Sequence, residues 1–293
     1  MLLLTGATGS IGSRLLPLLL ESGADVRCLV REPRRLGERR VDVQIALGDL
    51  GEMSDPYLVR QALRGVDTVV HLAATIRDQP PRRIEELNGL ATIRLLRAAE
   101  RSGVKRFVFF SALDASSAQR TRFFRAKWLA EQAVTSSPLD TTVFAPSIVY
   151  DHSDPWITLL RRFSFLPVLP VSGRGKAAFQ PIWAEDVARC VVASLGREAG
   201  PRYELAGPET LTYDQMSDLV SRIAGRPRPL VHLPLPLVRA GLIALRSVFG
   251  ESVFATWEEA ELMEVPMLSA TGTGDAESLG VEPRRMSDVL GGR

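Results

Sequence analysis

The N-terminal half of the chain alternates short apolar segments with longer segments whose apolar positions recur at helical spacing. Apolar segments without strict polar alternation are typical of strands buried on both faces of a parallel sheet. A helix between two such strands completes a parallel βαβ unit. The predicted strands cover 1–5, 25–31, 42–46, 67–73, 104–111 and 140–146. The predicted helices of this half cover 10–22, 55–64, 82–102 and 118–136.

After about residue 150 the pattern changes, because frequent prolines divide the chain into shorter segments. The helices predicted here cover 184–196, 212–225 and 236–249. Asp55-Pro56 and Asp154-Pro155 each combine an N-cap residue with proline at the first helical position, which predicts a helix start. We therefore expect an α/β protein, with a Rossmann-type doubly wound parallel sheet over 1–150 and a closely joined, smaller α/β lobe over 151–293.

Composition narrows the class of protein without identifying a partner. The 293 residues are 45% hydrophobic and 24% charged, which is typical of a globular protein, and a net charge of +2 gives no reason to expect nucleic acid binding. Cys28 and Cys190 lie in apolar sequence, so we expect buried, reduced thiols and neither a disulfide framework nor a metal site.

Two apolar segments, at the N-terminus and at 230–249, bear on the expected location of the protein in the cell. Met1 leads directly into the first strand without a basic segment, so a signal peptide is not predicted and we expect a cytoplasmic protein. The apolar stretch 230–249 contains prolines and arginines that do not suit a transmembrane helix. We expect it to be a core helix of the smaller lobe, or a contact for a protein partner or a membrane surface.

A glycine-rich turn, TGATGSIG, joins the first strand to the first helix. Glycines let the backbone pass close to a pyrophosphate, and the free N–H groups of a helix N-terminus face that anion. The spacing is G-x-x-G-x-x-G, and its position at the first βα junction predicts a dinucleotide site. The predicted phosphate-binding residues are Thr5, Gly6, Thr8, Gly9, Ser10, Ile11 and Gly12.

The residue that follows the second strand bears on the choice of cofactor. An NAD-selective site places an acidic residue there for the ribose 2′-hydroxyl, whereas this chain has Arg31. A guanidinium suits a 2′-phosphate, so NADP(H) is favoured over NAD(H), with a solvated basic loop as the alternative. Asp49, beside Leu50 after the third strand, either accepts from the adenine amino group or caps the following turn.

These motifs resemble the short-chain dehydrogenases/reductases of the extended or atypical kind. The resemblance rests on the glycine turn, GDL at 48–50, VVHLAA at 69–74, Asn88-Gly89 and the strand that ends at Ser111. The segments 173–188 and 203–216 are similar to the group of the complex I NAD(P)-binding accessory subunit, with NmrA-like proteins and sugar-nucleotide epimerases as more distant relatives. The resemblance implies further cofactor contacts at Leu72, Ala73, Ala74, Pro146 and Ile148.

The catalytic residues of that family are a serine and a Tyr-x-x-x-Lys pair on one helix. Ser111 and Lys127 fit the serine and lysine positions, but Phe123 stands where the tyrosine belongs, and a phenyl ring cannot exchange a proton. Lys127 either holds the cofactor ribose or faces solvent beside Glu131, and Ser111 is either catalytic or a strand-end hydroxyl. Phe123 and Tyr150 are the candidate substrate contacts.

Three functions are compatible with this pattern. The first is an NADP(H)-dependent atypical reductase that transfers hydride to a small apolar acceptor, quinone-like or conjugated, without an acid from tyrosine. The second is a redox-silent NADP(H)-binding sensor, regulatory or assembly protein. The third, a sugar-nucleotide epimerase-like enzyme, needs the missing tyrosine. The oligomeric state stays open.

Overall fold

The computed structural model describes residues 1–49, 51, 55–79, 81–198, 200, 202–249 and 257–292, so Leu50 lies outside the described part. The strands are β1 Leu2–Thr5, β2 Val26–Val30, β3 Gln44–Leu47, β4 Thr68–His71, β5 Arg106–Phe110, β6 Asp140–Pro146, β7 Val149–Tyr150, β8 Leu169–Ser172, β9 Ala178–Phe179, β10 Ile182–Trp183, β11 Arg202–Leu205, β12 Leu211–Thr212 and β13 Leu230–Leu233.

In the first half of the chain the helices lie close to their predicted positions, and the described part of the second half contains more helices than were predicted. They are α1 Ser10–Glu21, α2 Pro56–Leu63, α3 Ala91–Arg101, α4 Arg122–Thr135, α5 Pro155–Phe163, α6 Ala184–Leu195, α7 Tyr213–Ile223, α8 Leu235–Phe249, α9 Trp257–Leu262, α10 Gly274–Ser278 and α11 Met286–Gly291. A π-helical turn, Glu86–Leu90, leads into α3, and a 3-10 segment that the pattern does not predict, Pro33–Val41, follows β2.

Within the described residues, seven parallel strands form one sheet in the order β11-β6-β5-β4-β1-β2-β3. This is the doubly wound order, and it confirms the predicted Rossmann-type α/β fold. One face is covered by α1 and α6, the other by α2, α3 and α4. The strand order reverses between β1 and β4, and ligands of such sheets bind outside the strand ends at that point.

The second half of the chain contributes to both the sheet and the smaller lobe. After α6 packs on α1, β11 pairs with β6, with Tyr203 opposite Phe144, and extends the sheet. The remainder forms short ribbons, β7 with β10, β8 with β13 and β9 with β12, and the helices around them. In the described part of the chain, every helix is too short or too polar to cross a lipid bilayer.

Local signals in the sequence set several of these boundaries. The side chains of Asp55 and Asp154 accept from the N–H groups of Tyr57 and Trp156, so both predicted helix starts are confirmed. Thr212 and Gln215 form a reciprocal capping box at the start of α7. Cys28 and Cys190 are buried free thiols, as predicted, and burial raises the pKa of each to about 12.

Candidate functional site

The glycine turn is folded tightly against the end of β4. Gly6 has a φ of +76°, and a Cβ there would stand 2.7 Å from the backbone nitrogen of Ala73. A Cβ on Gly12 would overlap the carbonyl oxygen of Gly6 and stand 2.7 Å from the Cα of Ala7. Gly6 therefore requires glycine because of its positive φ and the nearby backbone of Ala73, and Gly12 requires it because α1 packs closely against the turn.

Gly9 has a different role, because it faces solvent. It is the N-cap residue of α1, adopts an extended conformation, and provides no side chain to cap the first N–H groups of the helix. Thr8, Ser10 and Ile11 around it are half-buried, and Gly9 itself is exposed. An uncapped helix N-terminus of this kind is suited to a phosphate group.

A buried chain of hydrogen bonds supports the turn from below. The N–H of Ala73 donates to the Thr5 hydroxyl at 3.2 Å, and Thr5 Oγ1 lies 2.7 Å from His71 Nδ1. On the other side of the ring, His71 Nε2 lies 2.9 Å from Thr92 Oγ1, whose proton goes to the carbonyl of Asn88. Thr92 must therefore accept from Nε2, and Nδ1 must accept from Thr5.

The protonation state of His71 agrees with this assignment. Burial, with a smaller contribution from the charge of Lys127, lowers the pKa of His71 to about 3, so the ring is neutral. The loop that follows β4 is fixed independently, because the Asn88 side chain both donates to the carbonyl of Thr75 and accepts from its N–H. Leu72 and Ala73 therefore form a firmly held border of the glycine turn, with Ala74 exposed beside them.

Two arginines surround one carboxylate at the ends of β2 and β3. Arg31 Nη1 lies 3.6 Å from Asp49 and donates to the Gln79 side chain at 3.1 Å. Arg82 Nη1 lies 3.3 Å from the same carboxylate. Asp49 also accepts from the N–H of Gly51, which is the turn-capping role. The sequence did not single out Arg82, because it is remote from Arg31 along the chain and reaches this place only through the fold.

Lys127 is buried on the inner side of α4. Its Nζ donates to the carbonyl of Phe110 at 2.6 Å and lies 5.8 Å from the ring centroid of Phe123. Burial lowers the pKa of Lys127 to about 7, although the charge of Glu131 acts in the opposite direction. Lys127 is buried, so the alternative of a solvent-facing lysine is wrong. Its ammonium group lies at the end of β5, near the ring of Phe123.

Ser111 lies at the same strand end, but its hydroxyl is engaged elsewhere. It donates to Glu131, one helical turn beyond Lys127, and the other oxygen of that carboxylate accepts from Arg202 Nε at 2.9 Å. Arg202 also pairs with Glu204 at 2.7 Å. The serine thus belongs to a network that ties β5 and α4 to β11.

The segment after β6 approaches the first turns of α1. Pro146 accepts from the N–H of Leu113, and Ile148 is half-buried. The Tyr150 side chain is fully buried and its hydroxyl has no hydrogen-bond partner among the described residues, so it presents no surface to a ligand in this structure. Next to it, Asp151 makes a two-pronged ion pair with Arg14 of α1, with Nη2 and Oδ1 2.9 Å apart.

A cavity of about 510 Å³ opens between the start of α4 and the smaller lobe. Thr121, the N-cap residue of α4, lines it, and Phe123 lies in the first turn of that helix. Leu235, Trp257 and Val265 also line it, together with the charged side chains of Arg120, Arg174, Glu261 and Glu264. The cavity therefore has a mixed apolar and charged lining, and Thr121 connects it to the first turn of α4.

Comparison with known proteins connects this geometry to a family. Residues 6–198 match a family model described as NAD(P)H-binding. The (4-alkanoyl-5-oxo-2,5-dihydrofuran-3-yl)methyl phosphate reductase of Streptomyces griseus is 30% identical over 248 residues, which cover 83% of this chain and 81% of that protein. NADH dehydrogenase (ubiquinone) 1 alpha subcomplex subunit 9 of Arabidopsis thaliana, a mitochondrial protein, is 28% identical over 254 residues.

The coverage of these relatives differs. The match to the Arabidopsis subunit includes 80% of this chain but only 60% of the length of that protein. Among solved structures, the UDP-glucose 4-epimerase of Thermus thermophilus in complex with NAD superposes with a TM-score of 0.74 over 99% of this chain and 96% of its own. At 19% identity this likeness concerns the fold alone.

Proposed function

This chain belongs to the NAD(P)H-binding family of atypical short-chain dehydrogenases/reductases, and on that premise we propose that it is an NADP(H)-dependent reductase of small, apolar, conjugated acceptors. The observation that carries the proposal is the pairing of a complete phosphate-binding turn with a buried Lys127 and a phenyl ring, Phe123, in place of the proton donor. Such a site retains what cofactor binding needs and lacks what carbonyl or alcohol chemistry needs.

The residues present fit a dinucleotide. The uncapped N-terminus of α1 behind Gly9 would hold the pyrophosphate, and the close packing of Gly6 and Gly12 keeps the backbone in position for it. Lys127 would hold the nicotinamide ribose. Of the predicted cofactor contacts, Leu72, Ala73 and Ala74 border the turn, while Pro146 and Ile148 follow β6; we retain them as part of the proposal.

The charge around Asp49 supports NADP(H) over NAD(H). Arg31 and Arg82 both approach this single carboxylate, so the group keeps a net positive charge of one unit after pairing. The guanidinium of Arg31 is half-exposed and can receive a 2′-phosphate dianion. Asp49 is occupied as a turn cap and as a partner of both arginines, which disfavours its use for the adenine amino group.

When bound, the cofactor supplies a hydride, two electrons with one hydrogen, and is left oxidised. The acceptor then needs one proton, and solvent water can supply it, because a conjugated acceptor delocalises the negative charge and does not require a buried acid. Phe123 would give the flat acceptor an apolar wall. In the carbonyl reduction of the wider superfamily, the charge stays on one oxygen and the missing tyrosine would be required.

The proposal is tested by binding and turnover on the same preparation. NADPH and NADH are titrated against the full chain, and the oxidation of reduced nicotinamide is then followed with quinones, azo compounds, enones and simple aldehydes. We expect tighter binding of NADPH and turnover of the conjugated acceptors but not of aldehydes. Turnover of aldehydes by the unmodified chain would refute the assignment of Phe123, and tighter binding of NADH would refute the role of Arg31.

A second candidate function is a redox-silent NADP(H)-binding protein that acts in regulation or assembly. It is favoured by the same loss of the proton donor, and by the relative from Arabidopsis, which is named as a subunit of a larger enzyme. NADPH binding without turnover on any acceptor supports it against the reductase. An epimerase-like function ranks third, because Phe123 cannot act as the base. We also propose that the protein is located in the cytoplasm.

A further inference from the structure

Two segments of the smaller lobe carry positive charge and no carboxylate. Neither 155–184 nor 219–249 contains an aspartate or a glutamate. Their basic residues are Arg161, Arg162, Arg174 and Lys176 in the first and Arg222, Arg226, Arg228, Arg239 and Arg246 in the second. Over the whole chain 36 basic residues are balanced by 34 acidic ones, so the segregation is local. The two segments meet where β8 and β13 pair in parallel.

The β8–β13 ribbon turns one face inward and one outward. Leu169 and Val171 of β8 are fully buried and are in register with Leu230, which is half-buried, and His232, whose ring lies 2.8 Å from the carboxylate of Asp214. Val231 and Leu233 of β13 occupy the opposite positions and are 40% and 39% exposed. The exposed side of β13 therefore carries two large apolar side chains, in register with Pro170 and Ser172 of β8.

Other large exposed apolar side chains flank the ribbon along the chain, before β8 and after β13. Phe165, before β8, is 68% exposed, and Leu237, in the first turn of α8 after β13, is 66% exposed. Together these positions define the basic apolar surface, consisting of Phe165, Leu166, Val168, Val231, Leu233 and Leu237. Exposed apolar groups clustered in this way mark a site of interaction.

The basic residues of the two segments differ in their partners: Arg174, Lys176 and Arg222 pair with the carboxylates of Glu264, Asp214 and Asp218, whereas three arginines beside the surface do not pair with a carboxylate of the described residues. The guanidinium of Arg226 lies 3.7 Å from the ring centroid of Phe165. Arg228 and Arg161 donate to the carbonyl oxygens of Ser164 and His152. Within the described part of the chain, none of these three arginines forms an ion pair with a carboxylate, so their charge is available to an external anion.

We propose that the basic apolar surface binds an anionic lipid bilayer at the level of its headgroups. Aliphatic and aromatic side chains enter the interfacial layer, while the neighbouring arginines contact lipid phosphates. Unpaired positive charge beside exposed apolar side chains is complementary to a layer of anionic headgroups above hydrocarbon, and this complementarity is the reason for assigning a bilayer to the surface. The proposal does not rest on the reductase function, because the surface includes no residue of the nucleotide site.

The test is flotation of the full chain with vesicles. We expect binding to vesicles that contain phosphatidylglycerol, little binding to phosphatidylcholine alone, and release by salt. Arg226→Gln should lower the partition about fivefold, which corresponds to about 1 kcal/mol. The double variant Phe165→Glu/Leu237→Glu should lower it at least about tenfold. The matched control is Val41→Glu, at a position 81% exposed on the 3-10 segment after β2, and it should bind as the unmodified chain does.

Each other result overturns the proposal. Absence of binding, equal binding to neutral and anionic vesicles, or full binding by the double variant would each exclude a headgroup contact at this surface. NADPH affinity and circular dichroism confirm that every variant is folded. Self-association that the double variant abolishes, in a chain that does not bind vesicles, would assign the surface to a protein interface instead.

Discussion

Replacing Gly12 with alanine is expected to destabilise the fold and to abolish NADPH binding together. The added methyl group would overlap the carbonyl oxygen of Gly6 and stand 2.7 Å from the Cα of Ala7, where ordinary contact is 3.4–4 Å. Both neighbours are backbone, so no flexible side chain can yield, and α1 itself must move. Overpacking of this kind costs about 1–3 kcal/mol, and we expect the upper end because α1 also packs on α6.

Gly9→Ala is the matched control within the same turn. Its methyl group would lie 3.4 Å from the same Gly6 oxygen, which is ordinary contact, and its φ of −82° suits alanine. The free energy of unfolding should therefore change by less than about 1 kcal/mol. In the proposed site the methyl group would nevertheless stand where the backbone would approach the pyrophosphate, so NADPH affinity should fall at least about tenfold, or about 1.4 kcal/mol.

The pair is measured by urea unfolding followed by circular dichroism, and by calorimetric titration with NADPH. We expect the free energy of unfolding to fall in Gly12→Ala alone and the affinity for NADPH to fall in both variants. An unfolding free energy of Gly12→Ala equal to that of the unmodified chain would refute the packing argument. Unchanged affinity in Gly9→Ala would show that the pyrophosphate does not lie at this helix end.

Three further predictions test other parts of the structure. Lys127 has a pKa of about 7 in the folded chain and about 10.5 in the unfolded chain, so the cost of burying its charge is fully present below pH 7 and disappears as the pH rises toward 10. Between pH 7 and 9 the free energy of unfolding of the unmodified chain should therefore rise by about 2 kcal/mol relative to that of Lys127→Met, and equal pH profiles would contradict this. Arg31→Ala and Arg82→Ala should each weaken NADPH by about tenfold in titration and leave NADH unchanged; equal losses for both cofactors would exclude a 2′-phosphate contact. Arg14→Ala leaves the carboxylate of Asp151 buried and unpaired, so urea unfolding should show a loss of about 3 kcal/mol, much of it recovered when Asp151→Asn is added.

The parts of the fold that local sequence determines were predictable. The glycine turn, the six strands of the first half and the caps at Asp55 and Asp154 all depend on residues within one or two elements of one another. Lys127 and Phe123 could be placed on one helix face because their spacing is that of a helical turn. The buried state of Lys127 could not, since it depends on the sheet against which α4 packs.

What the sequence did not predict depends on contacts between distant segments. Arg82 reaches Asp49 only because the loop after β4 folds back toward β3. The engagement of Ser111 with Glu131 requires the packing of α4 on β5, and Arg202 joins them only once β11 is in place. Tyr150 is polar enough to suggest a ligand contact, yet the smaller lobe covers it completely.

The position of β11 has a consequence for the order in which this protein is synthesised. Val143, Phe144 and Ala145 of β6 are fully buried, and part of their cover is a strand that the ribosome adds only after β7 to β10 and α6. Until then β6 is an open sheet edge, and α1 lacks the helix α6 that packs on it. The nascent N-terminal half therefore exposes a sheet edge and an apolar helix face, which are the features through which partly folded chains aggregate. At the site we propose, the nucleotide would contact α1 and the strand ends, so its binding would leave that edge uncovered.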